Sequence, residues 1–429
     1  MTENKTEELE KVYAGIKTAG GREAFVERRL EELGLAVERK PTEDMGKKKL
    51  AAYKRALKAE AAERASLMRK TWEAHVAHHV VHVGEGVYWN DDDDWDKYDH
   101  PRADERIAQN ELPKLDSPAA LAEALGLSVP ELRWLTYHRE AATSIHYDRF
   151  TIPKNNGSGV RAIWAPKPKL KAVQRWILRE IAERLPVHGA AHGFIGGRSI
   201  FTNASRHTGS KVIVKMDLKD FFPSVTFPRV KGVFRKAGYR EQVATLLALL
   251  CTEPPREVVE HDGKTYYVAM GPRCLPQGAP TSPAITNALA LRLDRRLDGL
   301  SKYLGWRYTS YADDLTFSLP AGHEGEEKLG SLLGGVRMIV GEEGFTIHPD
   351  KTRVMRSGRR QMVTGMIVNG EGTPRVPREI RRRARAVAHN VEAGKPIKAG
   401  ESLQTWLGYA AYIYMTDKEL GAALLKQLA

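Results

Sequence analysis

Residues 306–319, WRYTSYADDLTFSL, constrain the fold more than any other stretch of the chain. Leu315, Phe317 and Leu319 alternate with Thr316 and Ser318, the period of two of a pleated strand. Tyr308, Thr309 and Tyr311 suit a second strand before it, which leaves residues 312–314 as a tight turn. The turn carries Asp313 and Asp314. Aspartate favours turns for local reasons, so the pair has a bland reading as a polar tip. It is also most of a ligand set for a hard cation, which one more acid on a neighbouring strand would complete.

Residues 211–217, KVIVKMD, supply a candidate. They alternate as a strand and end on Asp217. Three carboxylates drawn together repel and raise each other's pKa unless cations neutralise them. Two Mg²⁺ about 3.5–4 Å apart would do so and would clamp the attacking and leaving oxygens of a phosphoryl transfer. The backbone carbonyl of Leu218 is a further ligand candidate. Residues 269–287, AMGPRCLPQGAPTSPAITN, form a Gly/Pro-rich loop with Gln277 at its apex, opening onto a helix from Pro283 to about Leu300 with Ser282 as cap. Residues 150–153 and 160–164 read as a hairpin flanked by Lys154 and Arg161. Two such cations suit a triphosphate, one as a point charge and one as a fork, or simply a basic surface. Residues 193–207, GFIGGRSIFTNASRH, are a Gly-rich loop that matches no phosphate-binding loop.

A net charge of +13 and a pI near 9.5 point to a polyanionic partner. Two cysteines exclude a disulfide framework and suggest a reducing compartment. No apolar run reaches membrane-spanning length and the N-terminus is too charged for a signal peptide, so the expectation is a cytoplasmic protein with no membrane contact. Residues 1 to about 85 read as helix with interleaved charges. Within them His75, His78, His79 and His82 put several imidazoles on one face. That face reads as a polar interface, with RNA as one partner for it, ahead of a metal site with Glu73. The acidic run 91–94 marks a boundary, and Ser117 and Ser128 cap two short helices. Residues 351–398 carry thirteen Lys/Arg against three Glu, with Arg381, Arg382, Arg383 and Arg385 on one helix. Such a face holds a nucleic-acid backbone without reading sequence. Residues 406–415, WLGYAAYIYM, read as core rather than as a stacking surface.

Asp217, Gln277 within LPQGAPTSP, and Asp313–Asp314 within YADD stand in the order and spacing of a reverse transcriptase, and the chain resembles that family over residues 145–429. Within it, the sequence is most similar to the bacterial retron type. Asn203-Ala204-Ser205-Arg206-His207 fits that group's NAxxH signature, Val363-Thr364-Gly365 its VTG signature, and residues 152–166 its IPK…AP block.

The resemblance implies an α+β right-hand polymerase with fingers at 101–210, a palm with an antiparallel sheet at 211–369 (interrupted by a fingers insertion at about 231–270) and a helical thumb at 370–429. An N-terminal helical extension over 1–100 departs from compact members, and its role stays open. Carried over, Asp217, Asp313 and Asp314 are the catalytic ligands of two Mg²⁺, for which Mn²⁺ can substitute, with Leu218 joining through its carbonyl. Lys154, Arg161, Asp220, Phe221, Phe222 and Gln277 hold the dNTP, and Phe222 is the gate that excludes a 2′-OH. Asn203, His207, Val363, Thr364, Gly365, Arg381, Arg382 and Arg385 contact RNA or DNA. The activity implied is RNA-directed DNA synthesis on a cognate noncoding RNA. It is primed by a guanosine 2′-OH and gives branched RNA-linked DNA in antiphage defence, with an effector protein as a further partner. No nuclease domain is expected after the thumb. The alternatives are a group II intron-like or other bacterial reverse transcriptase, or an RNA-binding defence scaffold.

Overall fold

The computed structural model describes residues 11–34, 37, 39–80, 82–87, 100–153, 159–398 and 400–429. The chain divides into two compact units, residues 1–81 with 127–132, and residues 82–126 with 133–429.

The first unit is helical. It contains α1 (Arg22–Glu32) and α2 (Lys47–His78), and neither helix buries a residue. Leu50, Tyr53 and Leu57 recur at helical spacing on α2 and are half-buried. Tyr53 Oη accepts from Lys40 N at 2.7 Å, and Arg64 donates to the Gly34 carbonyl at 3.1 Å. The segment after α1 is thereby tied to α2 at Tyr53 and Arg64.

The second unit opens with α3 (Ala103–Gln109) and α4 (Pro118–Ala124), the latter capped by Ser117 as its sequence predicts. Next come β1 (Ala141–Ala142), the hairpin β2 (Tyr147–Pro153) and β3 (Val160–Pro166), α5 (Pro168–Glu180) and α6 (Ile200–Ser205). Residues 200–205 were expected as loop. They are helical because Ser199 and Thr202 form a reciprocal capping box. The central strand β4 (Ser210–Asp217) follows, then α7 (Phe227–Ala237), α8 (Glu241–Cys251) and the hairpin β5 (Arg256–His261) and β6 (Lys264–Ala269).

The helix expected from Pro283 to Leu300 is two helices, α9 (Ser282–Leu289) and α10 (Leu291–Tyr303), parted at Ala290. Ser282 does not cap: it lies inside α9 and its hydroxyl donates to the Pro276 carbonyl at 2.8 Å. Strands β7 (Arg307–Tyr311) and β8 (Asp314–Pro320) form the expected hairpin. The unit closes with α11 (Leu329–Glu342), β9 (Arg353–Arg356), the two-residue strands β10 (Met362–Val363) and β11 (Met366–Ile367), and helices α12 (Arg378–Glu392), α13 (Leu403–Tyr414) and α14 (Lys418–Leu428).

The main sheet has the order β7-β8-β4-β9, antiparallel throughout. Val212, Ile213, Val214 and Met216 are fully buried, so β4 is covered on both faces. Asp294 of α10 accepts from the Tyr308 hydroxyl at 2.7 Å, which fixes that helix against β7. The last three helices share their own core of Ala384 and Ala388, Trp406, Ala410 and Ile413, and Leu424 and Leu428, with Val376 before them. Trp406 is core there, as its sequence predicts.

Candidate active site

Asp217 ends β4 directly opposite Asp314, the first residue of β8. Facing residues on antiparallel strands hold their Cβ atoms about 4.5–5.5 Å apart on one face of the sheet. Tyr311 pairs with Asp314, so Ala312 and Asp313 alone make the turn, and Ala312 takes φ +53°. The Leu218 N–H donates to the Asp313 carbonyl at 2.8 Å, tying the end of β4 to the hairpin tip. The Asp217 carbonyl accepts from His348 N at 2.7 Å. Pairing, turn and cross-links thus bring Asp217, Asp313, Asp314 and the Leu218 backbone together.

The tip is supported from outside. Ser310 exchanges backbone hydrogen bonds with Ala190 and His192 at 3.0 and 2.7 Å. A Cβ on Gly193 would stand 2.7 Å from Ala312 N, so only glycine lets that segment lie against the turn. Asn287 of α9 holds the Gly193 carbonyl at 2.8 Å.

Burial, then the neighbouring charges of Asp217 and Asp314, push the Asp313 carboxyl above the usual carboxylate range. Two lysines face the cluster. Lys351 Nζ lies 2.7 Å from Asp217 Oδ1, and Lys215 Nζ lies 3.4 Å from Asp314 Oδ2. Among the described residues no three His, Cys, Asp or Glu side chains are already grouped around one point as a metal site. The donor set fits a hard divalent cation all the same. It is all oxygen, and the repulsion that Asp217 and Asp314 add to burial at the Asp313 carboxyl is what a cation would relieve. Lys351 was read from the sequence only as part of a basic run. Lys215 was legible, since it sits two residues before Asp217 and therefore on the same face.

Around the acids, Phe222 is half-buried and Asp220 is exposed at φ +47°. Phe221 does not line the pocket: it is buried, with its ring 5.7 Å from Phe345 and 5.4 Å from Phe222, and so backs Phe222. Arg161 is exposed on β3 opposite Ile152, whereas Lys154 lies outside the described residues. The Gln277 carbonyl accepts from Trp164 N at 2.7 Å, which couples its loop to the β2–β3 hairpin. Gly278 has φ +117°, and a Cβ there would meet Ile163 Cγ2 at 2.8 Å and the Trp164 carbonyl at 2.9 Å.

The residues expected to contact RNA through the two signatures are placed otherwise. His207 is fully buried, with its ring nitrogens 2.7 Å from Ser318 Oγ and 2.7 Å from Thr309 Oγ1. Asn203 and Val363 are also fully buried. Ala204, Ile213, Val363, Met366 and Val368 form one core, with Tyr412 of α13 packed against it. Thr364 and Gly365, at φ +44° and +86°, make the tight turn between β10 and β11. Thr364 Oγ1 donates to the Ile200 carbonyl at 3.0 Å, and Tyr412 Oη donates to the Gly365 carbonyl at 2.9 Å. His207, buried with both ring nitrogens used inside the fold, cannot read RNA and is a packing residue. Asn203 and Val363 are buried beside it, the Asn203 amide without a hydrogen-bond partner among the described residues. Thr364 and Gly365 form a clasp. Arg382 and Arg385 are exposed on α12, Arg381 is half-buried, and Arg383 pairs with Glu401.

A family model described as reverse transcriptase (RNA-dependent DNA polymerase) matches residues 152–408. The retron Mx162 reverse transcriptase of Myxococcus xanthus is 53% identical over 423 residues, covering 96% of this chain and 87% of that protein. The retron Mx65 reverse transcriptase of the same organism is 44% identical, over 75% and 73%. The retron Ec86 reverse transcriptase of Escherichia coli is 31% identical, over 71% and 87%. The Mx162 match is long enough that it must take in most of the N-terminal extension; the Ec86 match is not.

Proposed function

The chain belongs to the retron reverse transcriptases and is an RNA-directed DNA polymerase; on that premise we propose that it copies part of a cognate noncoding RNA into branched, RNA-linked single-stranded DNA, primed by a guanosine 2′-OH. The observation that carries this reading is the opposition of Asp217 and Asp314 across β4 and β8, with Asp313 at the tip.

The reaction is in-line attack of a ribose hydroxyl on the α-phosphate of a dNTP, with pyrophosphate leaving. Asp217, Asp313, Asp314 and the Leu218 carbonyl would hold two Mg²⁺, which when bound supply charge stabilisation at the attacking and leaving oxygens. The protein's own residues set the geometry. Holding a cation would take Asp217 out of its ion pair with Lys351 and would leave that ammonium to face the substrate phosphates. Arg161, with Lys154, grips the triphosphate as a charge-assisted fork. Phe222, held by Phe221 against Phe345, meets the sugar where a 2′-OH would project. Gln277 sits on a loop bonded to the fingers hairpin, so hairpin closure and loop position move together. Residues 101–210, 211–369 and 370–429 serve as fingers, palm and thumb, and the exposed Arg382 and Arg385 face a duplex backbone. The branched product acts in antiphage defence with an effector protein. No helix among the described residues is long and apolar enough to cross a membrane.

The test is the double substitution Asp313→Asn with Asp314→Asn. DNA synthesis is abolished, RNA affinity stays within a few-fold, and the branched RNA–DNA species disappears from expressing cells. Synthesis near the wild-type rate would sink the assignment.

A further inference from the structure

The N-terminal extension carries a surface that the polymerase does not use. Along α2, Met68, Trp72 and His75 follow at spacings of four and three, which is one stripe of a helix, and His79, the first residue past the helix end, lays its ring on His75. The stripe continues the face of Leu50, Tyr53 and Leu57. That earlier part is half-buried beside the segment held by Tyr53 and Arg64, whereas Met68 and Trp72 are 48% and 56% exposed, with His75 and His79 exposed as well. The rings are ordered against one another. Trp72 and His75 stack with centroids 5.9 Å apart at 28°, and His75 and His79 at 4.3 Å and 8°. The helix that presents them has nine Lys/Arg against three Glu.

We propose that this ring ladder is a docking platform for an unpaired segment of the cognate RNA, whose bases stack on Trp72 and the end of the ladder while the lysines and arginines of α2 neutralise its phosphates. This rests on the retron reading above, which supplies the RNA. Charge argues for a polyanion: an apolar partner protein gains nothing from a threefold majority of cations over acids, whereas a nucleic-acid backbone does. Ring geometry argues for single strands. Every base offers a π-face to an aromatic side chain, but in an A-form duplex those faces are hidden. Most of the extension falls within the match to the Mx162 enzyme, as a device of that subgroup for its own RNA requires.

The experiment uses the full chain and two RNA measurements. Affinity for the cognate noncoding RNA is measured for wild type, Trp72→Ala, Trp72→Phe, and His75→Ala with His79→Ala. Extension of oligo(dT) on poly(rA) is measured beside it. Loss of one base stack weakens binding about tenfold, so Trp72→Ala and the double histidine variant lose about that much. Trp72→Phe keeps a ring and stays within about threefold. Extension on poly(rA) is unchanged throughout, because α2 holds none of the polymerase residues. Cognate-RNA affinity unchanged in Trp72→Ala overturns the proposal in favour of a protein partner. So does equal loss in Trp72→Phe and Trp72→Ala, which would mark the tryptophan as packing. Failure of the wild type to extend oligo(dT) instead strikes the polymerase reading, so the two failures are distinguishable.

Discussion

Replacing His207 with alanine separates a packing role from an RNA-contact role. The imidazole satisfies the hydroxyls of Thr309 and Ser318, on adjacent strands of the hairpin that presents Asp313. Both hydroxyls are essentially buried, so each left unpaired costs about 1–3 kcal/mol. The vacated volume adds a cavity cost of about 2 kcal/mol. The sum is about 4–8 kcal/mol before relaxation, a large share of the roughly 5–15 kcal/mol that holds a domain folded. Urea unfolding reads it as a lower midpoint at constant slope. The loss also depends on pH. Burial, then Arg307, holds the His207 pKa down to about 3, from 6.5. The unfolded chain therefore takes up the proton first as pH falls. The stability tied to the neutral ring is whole above about pH 6.5 and drains away towards pH 3, at about 1.4 kcal/mol per unit. The gap between wild type and His207→Ala should accordingly narrow on acidification. A loss below about 1 kcal/mol, together with a tenfold fall in RNA affinity, would refute this reasoning and restore His207 as an RNA contact.

Two further outcomes test the nucleotide pocket. Phe222→Ala should admit ribonucleotides, raising the rNTP-to-dNTP ratio of kcat/KM by at least tenfold; unchanged selectivity counts against the gate. Gly278→Ala forces a Cβ into the Trp164 carbonyl at a positive φ, a strain of about 1–3 kcal/mol. It should raise KM for dNTP because the Gln277 loop and the β2–β3 hairpin no longer seat together, and steady-state kinetics with normal KM would refute that coupling.

The hairpin at 306–319 was legible because the chemistry and the period coincide: alternation fixed the strands, and the leftover residues fixed the turn. The same alternation put Asp217 at the end of its strand. The capping box at Ser199 was equally written in the sequence, but the glycines before it drew attention to a loop. The break at Ala290 had no local signal, since neither glycine nor proline stands there. The signature residues were misplaced for a different reason. A motif tells which residues belong together, and only burial tells whether they face RNA or each other. Lys351 was missed because an ion pair across 134 positions has no sequence period at all.

The clasp at Thr364 and Gly365 bears on how such enzymes can be recombined. Ile200 and Tyr412 both bind that one turn, although they stand 212 positions apart in the chain. A C-terminal helical segment transplanted from a relative at residue 370 would bring its own counterpart of Tyr412 but leave residues 200–207 and 361–368 behind. In this chain the unit of exchange is therefore not residues 370–429 alone. It is those residues together with 200–207 and 361–368, which must travel as one cassette or lose the seam that joins them.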